Sequence, residues 1–164
     1  SLMTETFAAT APTAGLYTPQ QRARRDGTKW TVVQGILAPL QFLVFAVSLV
    51  LVLRYLFTGA GYEIATASIV LKTAILYLIM VTGAIWEKVV FNQWLFAPAF
   101  FWEDVFSFVV IGLHSLYIYG LLAGTFVPNA LITIALMAYA AYVVNAAQFI
   151  WKLRMARLQA EASA

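Results

Sequence analysis

Two adjacent carboxyl residues, Glu103 and Asp104, lie within an aromatic stretch of the chain, residues 100–108, which reads FFWEDVFSF. An ionisable side chain in apolar surroundings is energetically costly, so residues of this kind are usually paired or functional. Carboxyl groups donate and accept protons, which is the chemistry of general acid–base catalysis. Neighbouring residues on a helix point in different directions, so the two cannot both face one ligand atom. Glu87, from the preceding apolar run, is the alternative partner for Glu103.

Further polar residues occur at defined depths in the same apolar background. His114 comes eleven residues after Glu103, so the two share a helix face and His114 lies ~16 Å deeper. Lys72 lies at the level of His114 if the preceding run is antiparallel. The remaining candidates for ligand binding are aromatic or amide side chains: Trp102, Phe106, Gln41, Asn145 and Gln148.

Each of these residues also has a purely structural interpretation. Asp104 suits a helix N-terminus, where acidic side chains interact favourably with the helix dipole. Lys72 could extend to the membrane surface or pair with a carboxylate. His114 could be a hydrogen-bonded packing residue, and Glu87 could form an interfacial charge pair with Lys88. The amides of the last apolar run could simply join two helices.

The composition indicates a membrane protein. Of the 164 residues, 63% are hydrophobic and only 10% are charged, whereas about 25% are charged in a typical soluble domain. Four apolar runs exceed the ~20 residues that span a bilayer as a helix. We predict an all-α, four-helix transmembrane bundle over residues 30–158, with helices at about 30–57, 62–86, 100–122 and 127–155. Residues 1–29 are predicted to be disordered up to about residue 17 and then basic, and residues 159–164 to form a tail.

The positions of Lys and Arg predict the orientation. Eight of the ten basic residues fall on one side of a four-span chain: Arg22, Arg24, Arg25, Lys29, Lys88, Lys152, Arg154 and Arg157. By the positive-inside rule this side, with both termini, is cytoplasmic. The link between the second and third helices is expected to lie along the interface. The pair Gly120 and Gly124 is expected to serve ordinary close packing. The chain start lacks the pattern of a secretory signal, and Met3 is expected to be the initiator.

Several functional classes are excluded by what the sequence lacks. It has no cysteine and one histidine, so it has no thiolate nucleophile and no Cys or His cluster for a metal. It has no phosphate-binding glycine loop, no dinucleotide fingerprint and no nucleophile elbow. No basic face suited to nucleic acid remains outside the apolar runs. The remaining interpretation is a membrane bundle whose carboxylate-lined, aromatic pocket suits a large, flat, apolar ligand.

Three segments resemble one enzyme family. They are YTPQQRARRDGTKWTVVQGILAPLQFLVFAVSLVLVLRYL, ATASIVLKTAILYLIMVTGAIWEKVVFNQWLFAPAFFWEDVFSF and NAAQFIWKLRMARLQ. The family is the 3-vinyl (also termed 2-vinyl) bacteriochlorophyllide hydratases, and the resemblance covers residues 17–159, most distinctively residues 85–108. It implies a hydro-lyase of bacteriochlorophyll biosynthesis that adds water to the C3-vinyl group of a chlorophyllide or bacteriochlorophyllide, giving a 1-hydroxyethyl group. It implies no organic cofactor, and a magnesium ion that is carried by the substrate.

Hydration of a vinyl group requires a proton donor and a base. Glu103 is the first candidate for the acid, and Asp104 or Glu87 for the base that takes a proton from water. His114 is a candidate axial ligand of the substrate magnesium. The substrate propionate would be held by Lys72, or by Arg25 and Lys29 near the pocket mouth.

The expected partners are the pigment substrate and the lipid bilayer, with a second copy of the chain or other pigment-biosynthesis enzymes as further possibilities. The expected location is the cytoplasmic membrane of a phototrophic bacterium, with the active site facing the cytoplasm. One alternative is a non-catalytic pigment-binding or structural subunit of a photosynthetic complex. Another is an ion pathway through Lys72, Glu87 and Glu103, which the apolar outer half of the bundle disfavours.

Overall fold

A computed structural model describes residues 15–162, and all regular secondary structure in this part of the chain is helical. The helices are α1 (Pro19–Gly27), α2 (Lys29–Thr58), α3 (Tyr62–Phe91), a 3-10 helix (Pro98–Phe100), α4 (Phe101–Ala123) and α5 (Pro128–Ala162). Four of them are long and apolar enough to cross a membrane, α4 together with the 3-10 helix before it. The predicted all-α bundle with four spans is therefore confirmed.

Two glycines make the short turns that pair the long helices. Gly59 ends α2 with φ 71°, and its N–H donates to the carbonyl of Tyr55. Gly124 ends α4 with φ 65°, and its N–H donates to the carbonyl of Gly120. This left-handed conformation costs little only in glycine, and it turns the chain immediately after the last helical turn. The result is two antiparallel hairpins, α2–α3 and α4–α5.

The hairpins pack closely within themselves and contact each other less extensively. Their shared core contains fully buried side chains from all four long helices, such as Val52, Leu76, Tyr117 and Ala135. Less than half of each apolar span is buried, and large apolar side chains such as Phe57 and Leu122 face outward. An outward apolar surface on every span is what a lipid-facing bundle requires.

We use the term basic end for the end of the bundle that carries α1, the α3–α4 link and the C-terminal part of α5. All eight basic residues that were assigned to one side by sequence belong to these segments or their neighbours. The helix α1 is fixed there by two hydrogen bonds in series. The Thr31 hydroxyl donates to the carbonyl of Arg25 and accepts from the Trp86 indole at 2.6 and 2.9 Å, respectively.

Several element bounds differ from those expected. Helix α3 continues to Phe91 instead of ending near residue 86, because Glu87 and Val90 are buried and the helix is capped only at Asn92. Helix α5 continues to Ala162, so residues 159–162 of the expected tail are helical. Helix α1 was not predicted, and Tyr17, at the end of the segment expected to be disordered, is buried. Residues 1–14 and 163–164, including Met3, lie outside the described residues.

Candidate active site

Two carboxyl groups from different helices meet at the basic end of the bundle. The side chain of Glu87, near the end of α3, lies within hydrogen-bonding reach of the side chain of Asp104, in the first turn of α4. The two residues are only 4% and 5% exposed. Carboxyl groups can bond to each other only when a proton is shared between them, because two ionised groups would repel. A contact of this kind is therefore suited to sharing one proton.

The backbone of the α3–α4 link supports this pair. The N–H of Phe96 donates to Asp104 Oδ2 at 3.0 Å, and the N–H of Ala97 donates to Glu87 Oε2 at 3.4 Å. Phe96 has φ 61°, a left-handed conformation that is rare for a bulky residue and costs about 1–3 kcal/mol. The Gln93 side chain holds the link by donating to the carbonyls of residues 95 and 96. The link conformation is thus tied to the carboxyl pair through consecutive amides.

Glu103 has a different partner from its neighbour in sequence. Its carboxylate forms an ion pair with Lys152 of α5, with 3.1 Å between Nζ and Oε1. Lys152 also donates to the carbonyl of Ala99 at 2.8 Å. Asn145 donates to the backbone carbonyl of Glu103 and to the Gln148 side chain, at 3.0 and 3.1 Å. These contacts fasten the start of α4 to one face of α5.

Aromatic side chains next to the pair are partly exposed on the outside of the bundle. Phe96 stacks on Phe108 and packs against Phe101, with ring centroids 5.6 and 5.7 Å apart. Trp102 is 70% exposed, so it does not wall an internal pocket around the carboxyl groups. We call Phe96, Phe101, Trp102 and Phe108 the aromatic patch. Phe106, in contrast, packs against the main core.

A second polar group of residues, the central cluster, lies deeper in the bundle. It comprises Gln41, Lys72, His114, Tyr139 and Tyr142, all buried. The Lys72 ammonium lies 3.7 Å from the centroid of the Tyr142 ring, and Lys72 Nζ and the His114 ring both lie 5.9 Å from the Tyr139 centroid. His114 Nδ1 is 2.8 Å from the Val110 carbonyl. Lys72 Nζ and His114 Nε2 have no hydrogen-bond partner within residues 15–162.

The residues predicted from sequence therefore fall into two groups. One group lies at the basic end and contains the three carboxyl residues with Asn145 and Gln148. The other group is the central cluster, which contains Gln41, Lys72 and His114. Along α4, the rise from Glu103 to His114 is ~16 Å. Lys152 was not identified as a site residue, although it continues the face of Asn145 and Gln148 at helical spacing. The supporting amides of Phe96 and Ala97 leave no signal in the sequence. In the described part of the chain, no group of three or more His, Cys, Asp or Glu side chains could hold a metal ion.

The fold and the site together define a multi-pass membrane protein with a group of buried carboxyl side chains at one end of its bundle. The model of the family described as 2-vinyl bacteriochlorophyllide hydratase (BCHF) matches residues 17–155. The chain is 70% identical over 154 residues to the 2-vinyl bacteriochlorophyllide hydratase of Cereibacter sphaeroides, covering 93% of this chain and 95% of that relative. It is also 70% identical over 145 residues to the enzyme of the same name from Rhodobacter capsulatus, covering 88% of this chain and 84% of that relative. No solved structure matches the chain.

The chain belongs to the 2-vinyl bacteriochlorophyllide hydratase family. The resemblance that the sequence suggested is thus confirmed over most of its length. The chain is therefore an enzyme, a hydro-lyase. This description is preferred to the alternative of a non-catalytic pigment-binding subunit.

Proposed function

We propose that this enzyme adds water to the C3-vinyl group of a chlorophyllide or bacteriochlorophyllide, giving the 1-hydroxyethyl product, and that the Glu87–Asp104 pair moves the protons. The names of its relatives support the reaction. The observation that carries the site assignment is the close approach of these two buried carboxyl groups from different helices, each of which also accepts a backbone hydrogen bond from the α3–α4 link. The substrate brings its own magnesium, and the enzyme is expected to need no added cofactor.

The first step is protonation of the terminal vinyl carbon. The shared proton of the pair moves to that carbon, and the π electrons of the vinyl group form the new C–H bond. The inner carbon becomes a cation that is delocalised into the macrocycle. Both carboxyl groups of the pair are now ionised, and negative charge next to a developing cation stabilises the transition state.

The second step restores the pair. The oxygen of a water molecule attacks the inner carbon, and one of the two carboxylates takes the proton that this water releases. The 1-hydroxyethyl group is complete, and the pair again holds one proton. One water molecule is consumed and no net proton enters or leaves, so a single pair serves as both acid and base.

Glu103, the acid expected from sequence, is assigned a supporting role. A carboxylate in an ion pair with an ammonium is a poor proton donor, and Glu103 pairs with Lys152. Its charge lies close enough to the Glu87–Asp104 pair to act on both carboxyl groups. We assign Glu103, Lys152 and Asn145 to holding the start of α4 in place, so that Asp104 stays opposite Glu87.

The macrocycle is placed against the aromatic patch, with its vinyl edge toward the carboxyl pair. Exposed rings such as Phe101 and Trp102 offer a flat apolar surface, which suits a flat apolar ligand. Magnesium lies at the centre of the ring and the vinyl group at its edge. If the vinyl group of the macrocycle reaches the Glu87–Asp104 pair, at most the far edge of the macrocycle can reach His114, which lies ~16 Å away along α4. Axial ligation by His114 therefore requires a different ring position and stays a separate prediction.

We also propose that the basic end faces the cytoplasm, in the cytoplasmic membrane of a phototrophic bacterium. The eight basic residues at this end support that orientation by the positive-inside rule. The active site would then open toward the compartment from which a water-soluble carboxylate group of the substrate can approach.

The reaction is tested with the purified protein and a 3-vinyl pigment. Loss of the vinyl group shortens the conjugated system, so the long-wavelength absorption band is expected to shift progressively to the blue. Mass spectrometry should show a product heavier by one water. An immediate spectral shift that does not progress, with no hydrated product, would mean binding without turnover and would contradict the proposed function.

A further inference from the structure

A cleft at the basic end of the bundle has no part in the proton transfers proposed above. It has a volume of about 310 Å³ and lies between the start of the described chain, α1 and the C-terminal part of α5. Arg22, Arg25 and Arg157 line it, together with Tyr17 and apolar side chains such as Leu153. Three guanidinium groups around one cavity are suited to a negatively charged ligand.

Tyr17 gives this cleft a fixed hydrogen-bond donor. The residue is only 4% exposed, and its ring stacks on Phe91 with 5.7 Å between centroids. The Arg25 guanidinium lies over the ring, 4.6 Å from its centroid, and it is near enough to the Tyr17 hydroxyl to interact with it. Within residues 15–162 the hydroxyl nevertheless has no hydrogen-bond partner of good geometry. Burial raises the pKa of this hydroxyl above its usual range, although the side-chain interaction with Arg25 and the charge of Arg25 oppose the shift. The hydroxyl therefore stays protonated and can donate to a ligand.

The arginines around the cleft are only partly neutralised. Arg25 pairs with Asp26 at 3.0 Å, and Arg157 pairs with Glu161 at 3.7 Å, in both cases at the surface. Within residues 15–162, no ion pair involves Arg22. Exposed ion pairs contribute little and exchange easily, so a bound anion can compete with Asp26 and Glu161 for their arginines.

We propose that this cleft binds an oxyanion, either the free carboxylate of the pigment substrate or the phosphate of an anionic lipid. Guanidinium groups bind the oxygens of either group in bidentate fashion, and the Tyr17 hydroxyl supplies a further donor. Binding of the substrate carboxylate rests on the proposed function, whereas binding of a lipid phosphate does not depend on it. Both sources fit a cleft at the membrane–water boundary, where basic residues meet lipid headgroups.

The position of the cleft favours the substrate carboxylate. Ala156, which lines the cleft, follows Lys152 by one helical turn on α5, or about 6 Å along the helix, and Lys152 contacts Glu103 beside the carboxyl pair. A pigment whose vinyl edge lies at the carboxyl pair could thus keep its acid group at the basic end. Lys72, the other candidate for the propionate, is fully buried in the middle of the bundle, where placing a carboxylate is costly.

The test compares two double variants that remove the same charge. The cleft variant is Arg22→Gln with Arg157→Gln, and the control is Arg24→Gln with Arg154→Gln, whose side chains are exposed and do not line the cleft. Each protein is placed in nanodiscs of zwitterionic lipid and assayed with a 3-vinyl pigment and its methyl ester. We expect the cleft variant to raise the KM for the free acid at least tenfold, while kcat, the KM for the ester and the control variant stay unchanged.

A second arm of the experiment identifies a lipid ligand. The Tm of each protein is measured in nanodiscs with and without phosphatidylglycerol. If the lipid phosphate is the ligand, phosphatidylglycerol should raise the Tm of the wild type and the control variant, and this increase should be lost in the cleft variant. The proposal is overturned if the cleft variant matches the control in both arms. A wild-type protein without turnover would instead refute the proposed function, and the Tm arm would still test the cleft.

Discussion

Three buried carboxyl residues lie at the basic end of the bundle, yet their partners separate their roles. Glu87 and Asp104 face each other, whereas Glu103 faces the ammonium of Lys152. The ion pair with Lys152 ties Glu103 to α5, whereas the contact between Glu87 and Asp104 joins α3 to α4. These different partners support the proposed division between a pair that carries the proton and a residue, Glu103, that anchors the start of α4.

Variants of these carboxyl groups should separate chemistry from structure. Glu87→Gln and Asp104→Asn each keep a hydrogen-bonding side chain but remove the shared proton. We expect each to lower kcat by about 10²–10⁴-fold, the usual contribution of a general acid–base group, with pigment binding retained. Single-turnover absorption assays with saturating enzyme measure the rate. Glu103→Gln should lower the Tm clearly and change kcat much less than the other two variants do. Normal turnover in Asp104→Asn would contradict the assignment of the carboxyl pair.

A histidine variant tests the magnesium prediction separately. If His114 is an axial ligand, His114→Ala should weaken pigment binding and change the absorption spectrum of the bound pigment, with a smaller effect on kcat. The free Nε2 of His114 is the atom available for such a bond. Pigment titrations monitored by absorbance measure the affinity. An unchanged spectrum and affinity would leave His114 with a packing role only.

The helix ends show how the elements bring the site together. Helix α3 extends to Phe91, so Glu87 belongs to a rigid helix and not to a flexible link. The remaining link is short and strained at Phe96, and its consecutive amides bind both carboxyl groups of the pair. This arrangement fixes the distance between the start of α4 and the end of α3, which sets the distance between the two carboxyl groups.

Two glycines of α4 offer a matched test of hairpin packing. A Cβ at Gly120 would overlap the Phe126 ring, whereas a Cβ at Gly112 would meet no atom within 4 Å. Gly120→Ala should therefore lower stability by about 1–3 kcal/mol, the usual cost of overpacking. Gly112→Ala should be neutral or stabilise by up to about 1 kcal/mol. Thermal unfolding in detergent measures both, and equal stabilities would contradict the described α4–α5 turn.

The elements could be predicted from sequence better than the contacts between them. The four spans follow from the length of the apolar runs alone. The helical rise predicts that Lys72 and His114 lie at the same depth in the bundle, and their shared contact with the Tyr139 ring confirms it. The Glu87–Asp104 contact could not be predicted, because it depends on how α3 and α4 rotate against each other. Lys152 could have been found by continuing the face of Asn145 and Gln148, but its basic charge was used only for topology.

At the scale of the whole molecule, the distribution of charge and polarity is strongly asymmetric. The buried carboxyl groups Glu87, Glu103 and Asp104 and most basic residues lie at the basic end, while the central cluster lies between the helices of the two hairpins. The outward surface of the long helices is largely apolar, as a lipid-facing surface requires. A substrate with one acid group and an apolar ring matches this asymmetry, because its carboxylate can stay at the boundary while its ring lies in the hydrocarbon region.

The orientation in the membrane can be tested directly because the chain contains no cysteine. Single cysteines are introduced at exposed positions, Arg24→Cys and Trp94→Cys at the basic end and Ala60→Cys at the opposite end. A membrane-impermeant thiol reagent should label Ala60→Cys in spheroplasts and label the other two only after lysis. Labelling of Arg24→Cys or Trp94→Cys in intact spheroplasts would contradict the proposed orientation.

The presence of a proton on the Glu87–Asp104 pair is most directly measured by infrared spectroscopy of the protein in lipid at neutral pH. A protonated carboxyl group has a carbonyl stretching band that an ionised carboxylate lacks. The band should be present in the wild type and in Glu103→Gln and absent from the double variant Glu87→Gln with Asp104→Asn. A wild type without this band, or a double variant that retains it, would show that the pair does not carry the proton that the reaction requires.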